Sequence, residues 1–403
     1  MGNKAKPLPT LTLKPGEADR ILAGHPWVFA PCVSQEPEGI ENGAIVQVRD
    51  HRRRFLGVGL YNGASKIRVR LLDRERQTID QGFFEHRFKE ARARRERWLG
   101  SLPCYRLVNA EADRMGGLIV DVYHDVAILQ ITSLGLEQRK DAIVAALQEV
   151  VALRAVYERG DASGRHLERL PSFGFQTVCG EGSVPPEAQI GQLSMILDPE
   201  RGHKTGMYLD QQLNYQQVGA LCTGKRVLDC FTFQGGFALH AKHAGAQSVI
   251  AVEQSADALS CARHNAEKNQ LNGIDWVEAN AFDWLKEQSA LPDETRPQFD
   301  VIILDPPSFT RTRRNLEPAL RGYKEIHVRA LKLLAPDGLL VTFSCSHHVD
   351  RETFEATALS AAVDTRRVLS RVQEYTQSPD HPIIPTIPET EYLKGFAYTV
   401  WPM

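Results

Sequence analysis

From about residue 181 onward the sequence alternates short apolar runs with helical patterns, and this alternation restricts the chain to few folds. Strands that alternate with helices are typical of a parallel sheet with helices on its faces. The apolar runs predict strands at residues 226–230, 248–253, 275–279, 299–304 and 338–344. We therefore expect an α/β domain over residues 181–403.

Polar residues follow these predicted strands at their carboxyl ends. They are Asp229, Glu253, Asn280, Asp305 and Cys345. In an open α/β sheet, ligands bind in the crevice outside the carboxyl ends of the strands. The sequence therefore predicts that five chemically useful side chains converge on one crevice.

Residues 226–237 (RVLDCFTFQGGF) predict a strand that reaches Asp229, a tight turn and the start of a helix. An ordinary strand-to-helix connection would explain this segment alone. Gly235 and Gly236, however, let backbone N–H groups approach a ligand closely at a helix N-terminus. Glu253 follows 24 residues after Asp229, where an acidic side chain can hold ribose hydroxyls. Because the fingerprint G-x-G-x-x-G is absent, the pattern argues against NAD and for S-adenosylmethionine.

Length and composition indicate a globular, multi-domain protein. The 403 residues, 42% of them hydrophobic, suffice for two or three domains with real cores. The seven cysteines are odd in number and form no C-x-x-C pair, so neither a disulfide framework nor a metal site is expected. No apolar run approaches 18 residues and no charged-then-apolar leader is present. We predict a cytoplasmic protein without membrane contact.

Positive charge is concentrated in one region, although the net charge is only -2. Residues 49–97 contain fifteen Lys or Arg against seven Asp or Glu. Such a region is typical of a phosphate-facing surface, but alternating Glu and Arg over residues 83–98 favour a solvated helix face. For the short predicted strands, RNA contact and a solvated surface both stay open. Their candidates for RNA contact are Arg52, Arg53, Arg54, Lys66 and Arg68.

The first 180 residues of the chain predict two further domains. Residues 1–76 have short strand patterns separated by turn residues, as in a small β barrel. Residues 24–29 (GHPWVF) resemble the signature of the PUA-type RNA-binding domain that opens a family of ribosomal RNA methyltransferases. Trp27 could equally be a core residue. Residues 77–180 predict an α+β domain, including a helix over residues 137–153. Its stretch RLVNAEADRMGGLIVDVY resembles the central domain of the same family of ribosomal RNA methyltransferases.

The strand at residues 299–304 leads into Asp305, Pro306, Pro307, Ser308 and Phe309. Two prolines restrict the backbone, so Asp305 is held rigidly and Phe309 can lie against a planar group. A loop built for stiffness alone is the alternative. D-P-P-S-F resembles motif IV of class I methyltransferases that act on nucleic-acid bases. This resemblance implies that the acidic residue contacts the edge of an extruded or single-stranded base.

Cys345 lies in the segment TFSCSHH, past the end of the last predicted parallel strand. Cys222, Cys230 and Cys261 are interpreted as buried structural residues. Cys345 differs because it shares the sheet edge with Asp305, and a thiolate is a strong nucleophile. The sequence therefore predicts a nucleophilic cysteine.

Over nearly its whole length the chain resembles the PUA-containing bacterial methyltransferases that make 5-methylcytosine in large-subunit ribosomal RNA. The segments GHKTGMYLDQ (202–211) and ETEYLKGF (389–396) carry further resemblance. It implies a class I methyltransferase domain with a Rossmann-like, mostly parallel seven-stranded sheet. It also implies a cofactor site for S-adenosylmethionine and a Cys345 nucleophile assisted by Asp305. The implied cofactor-binding residues are Tyr208, Asp210, Gln211, Asp229, Phe231, Gly235, Gly236, Glu253, Gln254, Asn280, Ala281, Phe282 and Asp305.

The sequence departs from this family pattern at a few positions. Gln212 replaces an arginine, Gln234 is unusual in the glycine turn, and Asn280 replaces the frequent aspartate at the adenine edge. Related RNA enzymes carry a second cysteine after the motif IV proline, where this chain has Pro307. The family resemblance also implies RNA contact by Trp27, Pro306, Pro307 and Phe309.

Three functions are compatible with the sequence. The first is methyl transfer to C5 of a cytosine in large-subunit ribosomal RNA, free or in an assembling subunit. The second is methyl transfer to a base nitrogen of guanine or adenine, with a structural Cys345. The third is a non-catalytic RNA-binding assembly factor. The resemblance is also compatible with a homodimer.

Overall fold

A computed structural model describes residues 7–162, 164–185, 187–200, 202, 204–310 and 313–403, without the side chain of residue 313. His203 of the family segment lies outside these residues. Contacts divide the chain into two compact units. The first comprises Met1–Ala188, Leu197–Leu209 and Pro379–Thr390, and the second Gln189–Ile196, Asp210–Ser378 and Glu391–Met403. Within the described ranges, no helix combines the length and apolarity needed to cross a bilayer.

The first unit is built from two sheets and their helices. Its elements are β1 (Thr10–Leu13), α1 (Asp19–Leu22), β2 (Trp27–Phe29), β3 (Val33–Gln35), β4 (Ile45–Arg49), β5 (Phe55–Tyr61), β6 (Ile67–Asp73), α2 (Gln81–Leu99), β7 (Cys104–Asn109), β8 (Leu118–Tyr123), β9 (Val126–Ile131), α3 (Leu134–Glu137), α4 (Lys140–Val150), β10 (Ala155–Arg159) and β11 (Phe175–Gly180).

Strands β1 to β6 form a six-stranded sheet in the order β2-β6-β5-β4-β1-β3, in which only the β1–β4 pairing is parallel. Alternating residues of these strands are buried in one core, for example Leu11, Val46 and Val69. Strands β7 to β11 form a second sheet in the order β11-β10-β9-β8-β7, against which α2 and α4 pack around Phe84 and Leu147. Every second residue is buried in β1 and β4, whereas β8 and β9 are almost wholly buried.

The helix predicted over residues 137–153 is wrong in its extent, because it is two helices. The chain breaks after α3, and Arg139 has non-helical dihedral angles before α4 begins. The Arg139 guanidinium donates to the carbonyl oxygens of Gly135 at 2.8 Å and Gly43 at 2.9 Å. It therefore satisfies a carbonyl at the end of α3, which an uninterrupted helix would satisfy internally.

The second unit contains the large sheet. It follows a hairpin of β12 (Glu187–Ile190) and β13 (Leu193–Ile196), of which β12 begins in the first unit. Its further elements are α5 (Gln212–Ala220), β14 (Arg226–Cys230), α6 (Gly236–His243), β15 (Ser248–Glu253), α7 (Ala256–Lys268), β16 (Ile274–Glu278), α8 (Ala281–Ser289), β17 (Phe299–Leu304), α9 (Leu316–Leu333), β18 (Leu334–Ser344), α10 (Arg351–Asp364), β19 (Arg367–Thr376) and β20 (Lys394–Pro402).

Seven strands pair in the order β16-β15-β14-β17-β18-β20-β19. The first five are parallel, and β20 pairs antiparallel with both β18 and β19. Both faces of the sheet are apolar, with Leu228, Ile302 and Leu340 buried in one core beneath helices α8 to α10. This confirms the predicted mostly parallel, seven-stranded α/β fold. The three-domain division at residues 76 and 180 stays a proposal.

Candidate active site

The strand order reverses between β14 and β17, which both lie at the centre of the sheet. From β14 the chain continues to one side through β15 and β16, and it returns to the other side with β17 and β18. At such a reversal the loops diverge and leave a crevice. Asp229 lies at the end of β14, Asp305 directly follows β17, and Cys345 directly follows β18. The fold thus brings three predicted residues to the ends of three adjacent strands.

Asp229 is fully buried below the turn that follows β14. One carboxylate oxygen, Oδ2, accepts hydrogen bonds from the Thr232 hydroxyl at 2.5 Å and the Ala238 amide at 3.0 Å. The other, Oδ1, is buried and has no hydrogen-bond partner among the described residues. Burial raises the pKa of Asp229 to about 7, and the charge of Glu253 adds to this effect. An unsatisfied buried acceptor of this kind matches a ligand that brings a donor.

The turn between β14 and α6 has a strained backbone. Phe231, Phe233 and Gly235 have φ values of 66°, 50° and 87°. Left-handed dihedral angles are unfavourable for phenylalanine, and such strain is concentrated at functional sites. At Gly236 an added Cβ would lie 2.5 Å from the Tyr215 ring, so only glycine fits there. The predicted glycine turn is therefore a closely packed feature and not a loose connection.

Glu253 and Asn280, at the ends of β15 and β16, organise backbone N–H groups. Glu253 accepts from the amides of Phe233 at 3.1 Å and Gln254 at 2.9 Å. Asn280 accepts from the Phe282 amide at 2.9 Å, which caps α8, and its Nδ2 donates to the Gln254 side chain at 3.2 Å. Ala281 is buried in the first turn of this helix. These residues hold the outer wall of the crevice in place.

Asp305 is held by a chain of amide groups. Gln211 is buried, and its Nε2 donates to Asp305 Oδ2 at 3.0 Å. The Gln211 oxygen accepts from Asn214 Nδ2 at 2.6 Å, and this nitrogen also donates to the carbonyl oxygen of Thr376 at 2.9 Å. Because the Thr376 carbonyl can only accept, the Asn214 atom that contacts it must be the NH2 group, and this fixes the orientation of both amides. Gln211 thus holds one carboxylate oxygen of Asp305, and its contact with the cofactor stays a prediction.

Hydroxyl groups join the loop of Asp305 to that of Cys345. The Tyr323 hydroxyl lies 2.9 Å from Ser344 Oγ and 3.0 Å from Ser346 Oγ, and Ser346 Oγ lies 3.0 Å from Ser308 Oγ. Tyr323, Ser344 and Ser346 are fully buried, whereas Cys345 between the two serines is partly exposed. The thiol is therefore not enclosed in the apolar core, and its two flanking residues are fixed by hydrogen bonds.

Aromatic rings line the space above these loops. Phe282 contacts Phe231 edge-on, with 6.0 Å between ring centroids, and lies 5.4 Å from Phe309. All three rings are partly exposed. Pro306 is buried, whereas Pro307 is exposed. Partly exposed rings next to a carboxylate provide flat apolar surfaces against which a heterocycle can stack.

Asp210 and Tyr208 are separated by the division between the two units. In the second unit, Asp210 is buried and accepts from the Tyr392 hydroxyl at 2.7 Å. In the first unit, the Lys204 ammonium lies 4.7 Å from the centroid of the Tyr208 ring. The structure places Asp210 beside Gln211 in the second unit, and Tyr208 is described only within the first.

Trp27 has an internal role in the first unit. Its indole N–H donates to Glu111 Oε1 at 2.9 Å, and the Arg70 guanidinium lies 5.7 Å from its ring centroid. His25 is fully buried and accepts from the Trp27 amide at 3.1 Å. The GHPWVF segment therefore forms a local turn. Trp27 is partly exposed, so part of its side chain remains accessible to solvent.

The basic residues of the six-stranded sheet differ in their contacts. Arg54 pairs with Asp50 at 2.6 Å, and Arg68 pairs with Glu36 at 3.3 Å. In the described part of the chain, the exposed candidates without an ion pair are Arg52, Arg53 and Lys66. These three are the stronger candidates for phosphate contact.

Sequence reasoning missed several residues of the site, because their roles depend on partners far away in the chain. They are Ser308, Asn214, Tyr323, Ser344, Ser346 and Lys394. The serines flanking Cys345 gave a signal as small hydroxyl residues beside a cysteine, and Ser308 and Lys394 lie in the segments D-P-P-S-F and ETEYLKGF that resemble the family.

Comparisons with known proteins agree with this geometry. A family model of a PUA-like domain matches residues 11–74, and a model of an S-adenosylmethionine-dependent methyltransferase matches residues 145–382. A protein named ribosomal RNA large subunit methyltransferase I, from Salmonella gallinarum, is 36% identical over 401 residues, covering 97% of this chain and 98% of its own. The protein of the same name from Shewanella amazonensis is 38% identical over 400 residues, covering 97% and 99%. This chain belongs to their family of S-adenosylmethionine-dependent methyltransferases.

Solved structures support the same fold for this methyltransferase. The crystal structure of a methyltransferase complexed with SAH has a TM-score of 0.82 at 20% identity, covering 97% of this chain and all of the other. An S-adenosylmethionine-dependent methyltransferase from Streptococcus mutans has a TM-score of 0.81 with the same identity and coverage. Both confirm the predicted fold class.

The residues present fit the cofactor of this family, S-adenosylmethionine. Asp229 Oδ1 is a buried acceptor that lacks a donor, and S-adenosylmethionine carries an ammonium group. Glu253 and Asn280 place polar atoms at the ends of the neighbouring strands, where ribose and adenine groups bind in related sheets. The partly exposed Phe231 and Phe282 rings provide an apolar surface between them.

Proposed function

We propose that this methyltransferase transfers a methyl group to C5 of a cytosine in large-subunit ribosomal RNA, through a covalent adduct with Cys345. The relatives that share its full length are named for ribosomal RNA of the large subunit. One observation carries the proposal for the chemistry: Asp305 and Cys345 follow adjacent strands, and the Ser308–Ser346 hydrogen bond joins their loops at 3.0 Å.

Carbon 5 of cytosine is a weak nucleophile, which explains the need for a thiol. Addition of the Cys345 thiolate forms a bond from sulfur to C6, and the electron pair of the C5–C6 double bond moves toward C5. The cofactor supplies the methyl group that C5 takes. The C5 proton is then lost to solvent, the bond from sulfur to C6 breaks with its electrons returning to sulfur, and the double bond is restored.

Asp305 would stabilise the charge that develops on the cytosine ring during addition. A carboxyl group at the rim of the crevice can hydrogen-bond both N3 and the exocyclic amine of cytosine. Gln211 donates to Oδ2 at 3.0 Å, so the carboxyl group is held in one orientation before the base arrives. Such prior positioning lowers the cost of reaching the transition state.

Phe309 is the residue that we propose to stack on the extruded base. Its ring is partly exposed and is supported from below by Tyr323, with 4.4 Å between centroids. A base removed from its helix loses stacking energy, and an aromatic side chain replaces part of it. Exposed Arg52, Arg53 and Lys66 would contact phosphates of the surrounding RNA.

The test compares Cys345→Ala with wild type on large-subunit ribosomal RNA from a strain that lacks this protein. Loss of methyl incorporation with unchanged S-adenosylmethionine affinity is expected, because Cys345 serves only the RNA. Wild-type enzyme should also form a covalent complex with RNA that contains 5-fluorocytidine, where the C5 fluorine cannot leave as a proton does. The partly exposed Cys179, in the first unit, is the matched control, and Cys179→Ala should retain both properties.

Each alternative function predicts a different result. Transfer to a base nitrogen predicts that Cys345→Ala retains normal turnover, with the methyl group found on guanine or adenine by mass spectrometry. A non-catalytic assembly factor predicts that calorimetry detects no S-adenosylmethionine binding to the wild-type protein.

A further inference from the structure

Lys394 is a buried lysine next to the loop of Cys345. It begins β20, and the antiparallel register pairs it with Ser344, the residue before Cys345. Its side chain is only 3% exposed. Lysine is almost never buried unless a partner compensates its charge. Its position therefore requires an explanation.

The Lys394 ammonium holds the loop that follows Cys345. Its Nζ donates to the carbonyl oxygens of Ser346 at 2.7 Å and Val349 at 2.5 Å. These two carbonyls belong to the segment that leads from Cys345 to α10, so one cation fixes both ends of a short loop. Within the described ranges no carboxylate forms an ion pair with Lys394. Its direct hydrogen-bond partners are therefore neutral carbonyl groups.

Among the nearby acidic groups, an ionised Cys345 would raise the pKa of Lys394 the most. Its effect exceeds those of Glu391 and Asp350, while the positive charge of Arg351 opposes them. Burial is the largest influence and lowers the pKa of Lys394 to about 8. The ammonium is thus mostly protonated at neutral pH, and a thiolate at residue 345 would favour this charged form.

We propose that Lys394 is a positioning residue that fixes the loop of the Cys345 nucleophile and favours its thiolate form, an inference that rests on the proposed function. A cation next to a cysteine lowers the free energy of the thiolate relative to the thiol. In a crevice with little water, this effect is larger than at an exposed surface.

Three other titratable groups near Lys394 and Cys345 do not take over the role proposed for Lys394. Tyr323 on α9 is affected by the charges of both Cys345 and Asp305, but burial raises its pKa to about 12, so it stays neutral. Arg351 on α10 pairs with Glu391 at 3.2 Å. Asp350 caps α10 by accepting from the Thr353 amide at 2.7 Å. Of these groups, Lys394 is therefore the buried cation that donates directly to the loop following Cys345.

The test measures how fast iodoacetamide alkylates Cys345 in the full-length protein between pH 6 and pH 10, without RNA or cofactor. Peptide mass spectrometry resolves this cysteine from the other six. Wild type should show a midpoint below the ordinary thiol value of about 8.5. Lys394→Met should raise the midpoint by about one unit or more, so that alkylation at pH 7 slows about tenfold. Lys394→Arg, which keeps the charge, should stay close to wild type.

Two controls separate this role from a purely structural one. Cys179 in the same digest should react equally in all variants, and calorimetry should give unchanged S-adenosylmethionine affinity while kcat falls. If Lys394→Met only opened the loop, Cys345 would react faster at every pH with the same midpoint, and the proposal would be wrong.

A wild-type midpoint at or above the ordinary value would overturn the proposal even if Lys394→Met does not fold. The alkylation outcomes, unlike the change in kcat, are independent of whether Cys345 is the nucleophile. Methyl transfer that survives Cys345→Ala would refute the proposed function, and the effect of Lys394 on the thiol would still be measurable.

Discussion

The hydroxyl network behind Cys345 predicts a measurable difference between two buried tyrosines. Tyr323→Phe removes one hydroxyl that contacts Ser344 and Ser346 at 2.9 and 3.0 Å. Ser346 keeps Ser308 as a partner, and Ser344 keeps the amide of Ser346 at 3.3 Å. Two hydrogen bonds are therefore lost without leaving a serine fully unsatisfied, which costs about 1–2 kcal/mol of folding free energy.

Tyr375→Phe is the matched control in the same unit. Tyr375 is 2% exposed, and its hydroxyl has no hydrogen-bond partner in the part of the chain that the structure describes. Burial raises its pKa to about 12, as it does for Tyr323, so both hydroxyls are neutral in any practical assay. Removing an unpaired buried hydroxyl is neutral or stabilises the fold by up to about 1 kcal/mol.

Thermal unfolding at pH 7.5 measures the difference. Since about 1 kcal/mol shifts Tm by roughly 2–4 °C in a domain of this size, Tyr323→Phe should lower Tm by about 2–8 °C. Tyr375→Phe should leave Tm unchanged or raise it. Tyr323→Phe should also lower kcat by about tenfold or more, because small displacements of reacting groups are costly. Equal Tm and kcat for the two variants would refute the proposed network.

Three further perturbations test other parts of the site. Gly236→Ala should lower Tm by several degrees because its Cβ would lie 2.5 Å from a tyrosine ring, whereas Gly322→Ala within α9, with its nearest contact at 3.4 Å, should be neutral or stabilising. The raised pKa of Asp229 means that the free protein loses stability as the pH rises through about 7. The positive charge of S-adenosylmethionine favours the ionised carboxylate of Asp229, so the cofactor should bind with proton release and more tightly at pH 8 than at pH 6. Calorimetry in buffers of different ionisation enthalpy would detect the released proton. Asp229→Asn should remove this pH dependence. Reversing the charges of Arg52 and Arg53 should weaken RNA binding and reduce the slope of log affinity against log salt by about 2, without changing cofactor affinity.

The framework of the second unit could be predicted well from the sequence. The predicted strands 226–230, 248–253 and 299–304 match β14, β15 and β17 at both ends. In each of them apolar residues lead to an acidic residue at or within one residue of the end of the strand, which is the signal that the sequence offers. The start of β18 was predicted four residues late, so Pro336 and Asp337 fell outside the predicted strand. In the structure they lie within the strand at an irregularity in its register with β17.

The contacts that orient the site could not be predicted in this way. Gln211 was predicted from a family segment to bind the cofactor, but its side chain reaches Asp305, 94 residues further along the chain. Ser308 and Ser346 are 38 residues apart and look like ordinary loop residues. A hydrogen bond between two loops depends on which strands are neighbours, and this information is absent from either segment alone.

Lys394 shows why strand order decides the chemistry. β20 is the last strand of the chain, yet it lies between β18 and β19 and runs antiparallel to both. In a strand with apolar residues such as β20, a lysine at the first position would ordinarily be expected to face water. Because β20 is inserted beside β18, this position lies opposite Ser344, where the ammonium reaches the carbonyl of Ser346. Had β19 occupied this place, Lys394 would not lie beside the loop that follows Cys345.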